Sequence, residues 1–291
     1  MSSADGGCRS IVVVKLGGSV LSSARAYRRA AQFLRSRVRR APQERFVAVV
    51  SAQSGSTDAL ERVARRVTSL PTPRALDLLW TTGEIRSVAL LTLHLEALGV
   101  SAAGLNAHEA GLRITSDSPA KSPEAVALHG ERLQAALAGH SVVVVPGFFA
   151  TNSAGAIVSL GRGGSDLTAV LLARGLGAAR CELIKDVPGY FSADPRRNPA
   201  ARQLPALTFS YALELADAGC DLVQRAAIEA AASAGLALVI RSLNERAPAS
   251  VVSRGSTPAP AEKRIEFPEL CCHPEPLRPW RTGDRSALRT A

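Results

Sequence analysis

Aromatic residues are scarce in this sequence, and long hydrophobic runs are missing. Phe, Trp and Tyr make up 4% of the 291 residues, although 46% of the residues are hydrophobic. No apolar stretch approaches the roughly 20 residues that a membrane-spanning helix needs. The first ten residues also lack the basic and then apolar layout of a secretory signal peptide. We therefore expect a cytoplasmic protein without a membrane partner.

Cysteine is also rare, and its spacing does not indicate a metal site. Of the five cysteines, Cys271 and Cys272 are adjacent and are followed by His273. A metal or redox site is one interpretation of this trio, but the segment is rich in Pro and is typical of a tail. We expect reduced, unpaired thiols instead, as in most intracellular proteins.

Lysine is the scarcest charged residue. Lys and Arg together number 35, and four of them are Lys, which leaves 31 Arg. The lysines are Lys15, Lys121, Lys185 and Lys263. Because most basic positions use Arg, a retained Lys is expected where a compact ammonium is needed rather than a planar guanidinium.

The net charge of +10 is concentrated in one early segment, which carries Arg25, Arg28, Arg29, Arg35, Arg37, Arg39 and Arg40. A nucleic-acid site would usually add aromatic side chains or a known motif to such a cluster, and the sequence shows neither. We interpret the segment as a solvated helix face and expect no nucleic-acid partner. Attraction of small anions is a secondary effect of this charge.

Short apolar runs alternate with helical patterns along most of the chain. The apolar runs predict buried strands at residues 11–14, 46–50, 102–105, 141–145, 181–184 and 236–240. The helical patterns predict helices at residues 24–40, 58–67, 73–80, 85–98, 128–137, 165–174, 211–218 and 222–234. Repeated β-α-β units of this kind indicate an α/β fold, with a mostly parallel sheet covered on both faces.

The ends of the chain differ in composition from the middle. From about Ala247 onward Pro, Ser, Arg and Glu dominate, so we expect little structure there. We divide the chain into an N-terminal tail over residues 1–9, one folded domain over residues 10–256 and a poorly structured tail over residues 257–291.

The first apolar run ends in Lys15-Leu16-Gly17-Gly18-Ser19. Ligands of such sheets bind at the carboxyl ends of the strands, so this segment is a candidate site. Two glycines let backbone N–H groups approach phosphate oxygens closely, and Lys15 adds a point charge. A tight turn between strand and helix is the structural alternative.

Hydroxyl groups follow the second apolar run, in the segment from Ser51 to Asp58 that includes Thr57. Because Ser, Thr and Asp also cap helices, this segment taken alone predicts no more than a turn and an N-cap.

The segment from Ser159 to Ala169 carries the strongest signal. It places Arg162 between glycines and opens a helix with Ser165 and Asp166. A helix N-terminus favours negative charge, and Arg can grip a carboxylate with two hydrogen bonds. A purely structural loop would not need that arginine, so we predict an anion site.

A fourth charged segment runs from Ile184 to Arg196. Lys185 and Asp186 follow an apolar run, and a turn with Tyr190 and Phe191 comes next. An aromatic ring near a phosphate loop could pack against a nucleotide base, but both rings could equally belong to the core.

Together these segments resemble the amino-acid kinase superfamily, and within it the catalytic domain of aspartate kinase. The resemblance runs from Val12 to about Ser256 and includes Thr82-Gly83-Glu84 and the region after Leu215. It implies a three-layer αβα fold. It also implies that the N-terminal part binds an amino acid and the C-terminal part binds ATP.

The resemblance implies a role for each matching residue. Lys15, with the backbone of Gly17 and Gly18, would neutralise charge on the transferring phosphoryl group, and Asp166 would order the phosphate and substrate region. Glu84 would accept from the substrate ammonium, and Arg162 would pair with its carboxylate. The other implied substrate contacts are Ser51, Thr57 and Ser165, and the implied nucleotide contacts are Gly17, Gly18, Asp186, Tyr190 and Arg196. We add Arg225 to the predicted nucleotide contacts. Mg²⁺ would bridge the phosphates and be held largely by their oxygens.

The sequence departs from the family at two charged positions. The family sequence Gly-Ala-Lys-Val-Leu-His is Gly219-Cys220-Asp221-Leu222-Val223-Gln224 here, so Asp221 replaces a lysine that reaches the ATP phosphates. A reversed charge beside an anion costs several kcal/mol if nothing compensates it. Lys185 replaces the usual Thr, and we hypothesise that it restores the missing ammonium as a third catalytic residue. Arg225 is the other candidate, and simple pairing of Lys185 with a nearby acid is the structural alternative.

The overall prediction is ATP-dependent phosphorylation of the side-chain carboxylate of a small amino acid, most simply L-aspartate to 4-phospho-L-aspartate. The Lys-Leu-Gly-Gly-Ser motif differs from the Lys-Phe-Gly-Gly-Thr of aspartate kinases, so a different small acid is one alternative. A catalytically weak, nucleotide-binding regulatory subunit is the other. The sequence ends without the family's ACT domains, so we expect no feedback control there, while a homodimer is still possible.

Overall fold

The computed structural model describes residues 10–115, 125–161, 163–195 and 197–255. The helices in these ranges are α1 (Ala24–Arg40), α2 (Ser56–Val67), α3 (Pro73–Ala97), α4 (Ala107–Ala110), α5 (Glu131–Gly139), α6 (Gly164–Gly175), α7 (Phe209–Asp217) and α8 (Arg225–Ala234). The first seven strands are β1 (Ser10–Leu16), β2 (Glu44–Val50), β3 (Ala102–Gly104), β4 (Leu112–Ile114), β5 (Val126–Leu128), β6 (Val142–Pro146) and β7 (Phe149–Thr151). The others are β8 (Ile157–Ser159), β9 (Arg180–Ile184), β10 (Tyr190–Phe191), β11 (Gln203–Leu204), β12 (Ala206–Thr208), β13 (Leu238–Arg241) and β14 (Ser250–Ser253).

The central sheet has eight strands in the order β12-β14-β13-β9-β1-β2-β6-β3. Its neighbouring strands are parallel except for β13 and β14, which are antiparallel. A four-stranded sheet, β5-β4-β7-β8, and the pair β10-β11 lie outside it. The predicted mostly parallel sheet is therefore confirmed, and none of the described helices is both long enough and apolar enough to cross a membrane.

The side chains of the central strands divide between two cores. Val12 and Val14 of β1 pack in one core with residues of α1 and α3, including Leu34 and Leu91. Val13 points to the other core, which contains residues of α5, α6, α7 and α8. Because successive residues of a strand face opposite sides of a sheet, both faces are covered by helices. The three-layer αβα arrangement is confirmed.

Helix α3 corrects a prediction of two helices at residues 73–80 and 85–98. The structure has one helix through Thr81, Thr82 and Gly83. Thr and Gly are weak helix formers. Burial of Leu91 and Leu95 outweighs that local preference, and Gly83 has a packing role, because a Cβ there would lie 3.0 Å from the Cβ of Ala52.

Three other regions also differ from prediction. Residues 126–128 form β5, which pairs antiparallel with β4, so helix α5 begins only at Glu131. Helix α8 begins at Arg225 rather than Leu222. Residues 250–253, where little structure was expected, form β14 because Val252 is fully buried between β12 and β13.

Four neighbouring strands of the central sheet end at the same level. Leu16, the last residue of β1, is in register with Ile184 of β9 and with Val50 of β2. Val50 is in register in turn with Pro146, the last residue of β6. The loops that follow these strands therefore meet along one edge of the sheet, where ligands of open α/β sheets bind.

Candidate active site

The loop after β1 is packed closely against the loop after β2. The backbone N–H of Ser51 donates to the carbonyl of Leu16 (3.1 Å), and that of Ser54 donates to the carbonyl of Gly18 (3.2 Å). A Cβ at Gly18 would lie 2.6 Å from the carbonyl oxygen of Ala52, so no larger residue fits there without moving the backbone. Gly18 is therefore required for the packing of these two loops, in addition to any role in binding phosphate.

Two lysines converge on one buried aspartate. Lys15 Nζ lies 2.7 Å from Asp166 Oδ1, and Lys185 Nζ lies 2.8 Å from Asp166 Oδ2. The exposed fractions of the side chains are 9% for Lys15, 13% for Lys185 and 5% for Asp166. We call Lys15, Asp166 and Lys185 the ammonium cluster. It joins the carboxyl ends of β1 and β9 to the first turn of α6.

The cluster carries one uncompensated positive charge when all three groups are ionised. Burial opposes ionisation of Asp166, but the charges and hydrogen bonds of the two lysines outweigh it and hold the pKa of this carboxyl well below its usual range. Burial, with some help from the charge of Lys15, lowers the pKa of Lys185 to about 8, although Asp166 opposes that change. The ammonium cluster is therefore a buried, electropositive group around an ionised carboxylate.

Within the described residues, Asp166 is the one acid that makes an ion pair with both ammonium groups, and Asp186 adds an electrostatic interaction with Lys185. An ammonium has three N–H donors. Each lysine therefore has donors left over for an anion, which is the arrangement that a phosphoryl group needs.

Asp166 is held in place by the start of α6. Gly163 precedes the helix with a left-handed φ of 74°, and the N–H of Asp166 donates to its carbonyl (3.1 Å). The backbone N–H of Gln224 also approaches Asp166 Oδ2 at 3.4 Å. A carboxylate in the first turn of a helix is stabilised by the helix dipole.

Ser165 lies against the end of β6. A Cβ at Gly147 would come within 2.7 Å of Ser165 Oγ, so this glycine is required for the close contact. Phe148, the next residue, has a φ of 75° and donates its N–H to Thr168 Oγ1 (2.9 Å). Positive φ is uncommon for a residue with a bulky side chain and is frequent near functional sites. Sequence reasoning missed Phe148, which nothing in the local sequence pattern distinguishes.

Glu84 lies on α3 and is 4% exposed. Its Oε1 accepts from the N–H of Ala52 (3.2 Å), while its Oε2 is buried without a hydrogen-bond partner among the described residues. Burial raises the pKa of Glu84 to about 7, and the backbone hydrogen bond only partly offsets this effect. An unpaired buried carboxylate oxygen is costly and is typical of a group that awaits a ligand.

The remaining predicted substrate contacts lie near this edge of the sheet. Ser51 is half-buried directly after β2, and Thr57 is half-buried in the first turn of α2. Arg162 lies outside the described residues, as does the predicted nucleotide contact Arg196.

Two predicted nucleotide contacts, Tyr190 and Arg225, make contacts within the protein. Tyr190 is 2% exposed and belongs to the core beneath α6 and α7. Burial of this ring favours the core alternative for Tyr190 over stacking on a nucleotide base. Arg225 pairs with Asp217 and with Glu229 (3.1 Å), and both acids would have to release it before it could reach a phosphate.

Comparison with known proteins identifies the family. The sequence profile of the amino acid kinase family matches residues 10–242. This chain belongs to the amino acid kinase family.

Aspartate kinases are among the most similar members of this family. An aspartokinase of Thermus thermophilus is 38% identical over 242 residues, which cover 83% of this chain and 59% of that protein. The chain therefore spans about three fifths of the length of this curated relative.

Solved structures agree with the sequence comparison. The aspartate kinase from Synechocystis superposes with a TM-score of 0.73 at 32% identity, covering 88% of this chain and 42% of its own. Aspartokinase III of E. coli, in complex with aspartate and ADP, superposes with a TM-score of 0.71 at 26% identity, covering 84% of this chain and 64% of its own. The predicted resemblance is confirmed.

Proposed function

We propose that this protein transfers the γ-phosphoryl group of ATP to the side-chain carboxylate of a small amino acid, most simply converting L-aspartate to 4-phospho-L-aspartate. The ammonium cluster is the observation that carries this proposal. The aspartate and ADP bound to the E. coli relative support the choice of substrates.

Lys15 and Lys185 neutralise charge on the transferring group. Phosphoryl transfer spreads negative charge over the phosphoryl oxygens, and catalysis depends mainly on positioning and charge neutralisation. The spare N–H donors of both lysines can bind these oxygens, and Asp166 holds the two ammonium groups in place. The backbone of Gly17 and Gly18 supplies further donors beside them.

The acceptor is bound by the N-terminal part of the domain. Ionised Glu84 accepts hydrogen bonds from the substrate ammonium through its unpaired Oε2, and Ser51, Thr57 and Ser165 supply hydroxyl groups. Arg162 pairs with a substrate carboxylate. These contacts turn the side-chain carboxylate of the acceptor towards the ammonium cluster.

The nucleotide is bound by the C-terminal part, beyond β9. Asp186 lies next to Lys185 on this side, with Arg196 and Arg225 as further contacts, while Tyr190 supports the loop from the core. The described residues contain no group of three or more His, Cys, Asp or Glu that could hold a metal. Mg²⁺ is therefore expected as part of the MgATP substrate, held by phosphate oxygens.

The transfer itself needs no proton from the protein. An ionised carboxylate oxygen of the acceptor attacks the γ-phosphorus, the bond from that phosphorus to the bridging oxygen breaks, and ADP leaves. The product is an acyl phosphate. Because the nucleophile is already an anion at neutral pH, the site requires cations rather than a general base.

Asp221 favours one alternative, a nucleotide-binding subunit with little catalysis. It stands where the family has a phosphate-binding lysine. The position of Lys185 argues against this alternative, because Lys185 reaches the same carboxylate as Lys15 and returns a second ammonium to the cluster.

ATP consumption with a panel of acidic amino acids tests the proposal, with hydroxylamine added to trap the acyl phosphate as a hydroxamate. Turnover with L-aspartate, with the corresponding hydroxamate as product, is the expected result. If only a different acid is phosphorylated, the proposed reaction is supported and that acid replaces L-aspartate as the acceptor. ATP binding without turnover on any acid would contradict the proposal and support the regulatory subunit.

A further inference from the structure

Three buried polar atoms on one stretch of α3 have no hydrogen-bond partner within the part of the chain that the structure describes. They are Trp80 Nε1, Thr81 Oγ1 and Glu84 Oε2. Buried polar groups are nearly always paired, and a buried indole N–H usually finds an acceptor. Three such atoms within five residues point to a ligand rather than to separate packing defects.

Trp80 precedes Glu84 by four residues, so the two side chains lie on the same face of α3. The ring of Trp80 also contacts the ring of Phe148, with 6.0 Å between centroids and a tilt of 57°. Phe148 in turn packs on the start of α6, where a Cβ at Gly164 would lie 3.1 Å from its ring. Trp80 therefore connects the helix of Glu84 with the helix that carries Asp166.

The position of Phe148 is fixed by its surroundings. Its backbone is held at positive φ by the hydrogen bond to Thr168, and its ring makes an edge-to-face contact with Phe149 at 4.7 Å. Edge-to-face packing of this kind stabilises the position of both rings.

We propose that Trp80 is an acceptor-binding residue, whose Nε1–H donates a hydrogen bond to a carboxylate of the acceptor and whose ring forms, with Phe148, one wall of the acceptor pocket. The inference rests on the proposed function and names the chemistry of its acceptor. Donor and acceptor atoms are complementary here: Trp80 Nε1–H suits a carboxylate, and Glu84 Oε2 suits an ammonium. The acceptor is therefore a zwitterionic acid rather than a simple carboxylic acid.

Tryptophan fluorescence provides a test that does not depend on turnover. The sequence has two tryptophans, Trp80 and Trp280, and the second lies outside the described residues. In a Trp280→Phe variant of the full chain, emission reports on Trp80 alone. Titration with L-aspartate, L-glutamate and the simple acid succinate is expected to give a saturable change with an amino acid and none with succinate.

The Trp80→Phe variant removes the N–H and keeps an aromatic ring. We expect the dissociation constant for the bound amino acid, measured by calorimetry, to rise about tenfold, as for the loss of one hydrogen bond to a charged group. The dissociation constant for ATP should stay unchanged. Thr82→Val is the matched control, because the exposed Thr82 donates to the carbonyl of Leu79 within the helix (2.7 Å) and should not affect acceptor affinity.

The outcomes separate this inference from the proposed function. Amino-acid binding that perturbs Trp80 without any phosphorylation would contradict the kinase and keep the inference. If Trp80→Phe phosphorylates the acceptor and binds it with unchanged affinity, the kinase activity is supported and the inference on Trp80 is contradicted. This holds even if the variant is less stable. If Trp80→Phe fails to fold, the titration of Trp280→Phe decides. The inference is wrong if the fluorescence of Trp80 in that variant does not change with any amino acid.

Discussion

Two ion-pair clusters lie near opposite ends of strand β9 and its neighbours in the parallel sheet. The ammonium cluster lies at the carboxyl ends of β1 and β9. Near the amino ends, a second cluster joins Arg37, Glu44, Arg180 and Glu182, and we call it the guanidinium cluster. One uses the rare lysines of this chain and the other its abundant arginines.

The guanidinium cluster is closed by paired hydrogen bonds. Arg37 donates to both oxygens of Glu182 (2.7 and 2.6 Å), and Arg180 donates to both oxygens of Glu44 (2.9 and 3.1 Å). Arg180 also reaches Glu182 Oε1 at 2.8 Å, whereas Arg241 approaches Glu182 only to 3.8 Å. Burial opposes ionisation of Glu182, but Arg37 and Arg180 lower its pKa below the usual value.

The contrast distinguishes a closed ion-pair cluster from one that has donors available for an anion. In the guanidinium cluster two acids meet two hydrogen-bonded guanidinium groups, so every carboxylate oxygen has a donor. In the ammonium cluster one acid meets two ammonium groups, so positive charge and N–H donors are left over. A planar guanidinium group binds a carboxylate in one fixed orientation. A compact ammonium group on a flexible side chain can follow a phosphoryl group as it moves.

The largest expected effect comes from Lys15→Met, which removes a charge from the ammonium cluster and keeps much of the side-chain volume. We expect kcat/KM to fall about 10³-fold, the lower end of the range for losing a cation that stabilises a phosphoryl transition state. Steady-state kinetics with L-aspartate and MgATP measure it. Because Asp166 keeps Lys185, the protein should remain folded. Wild-type kinetics in a folded variant would remove Lys15 from the mechanism.

The next effect is on stability. Glu182→Gln neutralises one of the two acids of the guanidinium cluster and leaves Arg37 buried without its charged partner, which should lower the free energy of unfolding by about 3–5 kcal/mol. Urea denaturation measures this change, and kcat of the folded protein should stay unchanged. Glu245→Gln is the control, because its partner Arg40 has a 58% exposed side chain, and exposed pairs contribute about 1 kcal/mol or less. If Glu182→Gln lost turnover and kept its stability, the guanidinium cluster would have a functional rather than a structural role.

A smaller effect is expected for Glu84→Gln, which we predict raises KM for the acceptor about tenfold at pH 8, because the substrate ammonium loses a charged partner. In the wild type, KM should rise as pH falls below about 7, since Glu84 then becomes protonated. The variant should lack this pH dependence. An identical pH profile in both proteins would show that a different group titrates.

Glu84 also makes stability depend on pH. Its folded pKa of about 7 lies above the ordinary value of 4.5 for Glu, so the folded state binds more protons between these values. The contribution of Glu84 to stability is therefore complete below about pH 4.5 and is lost as pH rises through 7. Relative to the wild type, Glu84→Gln should gain stability from pH 5 to pH 8 in urea denaturation. A constant difference would contradict the raised pKa.

The edge of the sheet where the candidate site lies could be predicted from the sequence. The contacts within the site could not. Lys15, Ser51 and Lys185 each come at or just after the end of an apolar run, and parallel strands must end together. That Lys15 and Lys185 share Asp166 required the register of β1 and β9 and the packing of α6, which no local pattern contains.

Tertiary packing explains the other differences from prediction. The break expected near Gly83 does not occur, because the glycine serves the contact with Ala52. Trp80 received no role from sequence, although its spacing of four residues from Glu84 was a usable signal. For Tyr190 the sequence left a nucleotide contact and the core as alternatives, and only its burial in the structure favours the core.

The most direct test of the ammonium cluster is the Lys185→Ala variant, with the dissociation constant for ATP measured by calorimetry and turnover measured by hydroxamate formation. If Lys185 supplies the ammonium that Asp221 removed, ATP affinity should fall about tenfold or more and turnover should fall with it. Wild-type ATP affinity together with wild-type turnover would show that Lys185 only pairs with Asp166, and the central claim would be wrong.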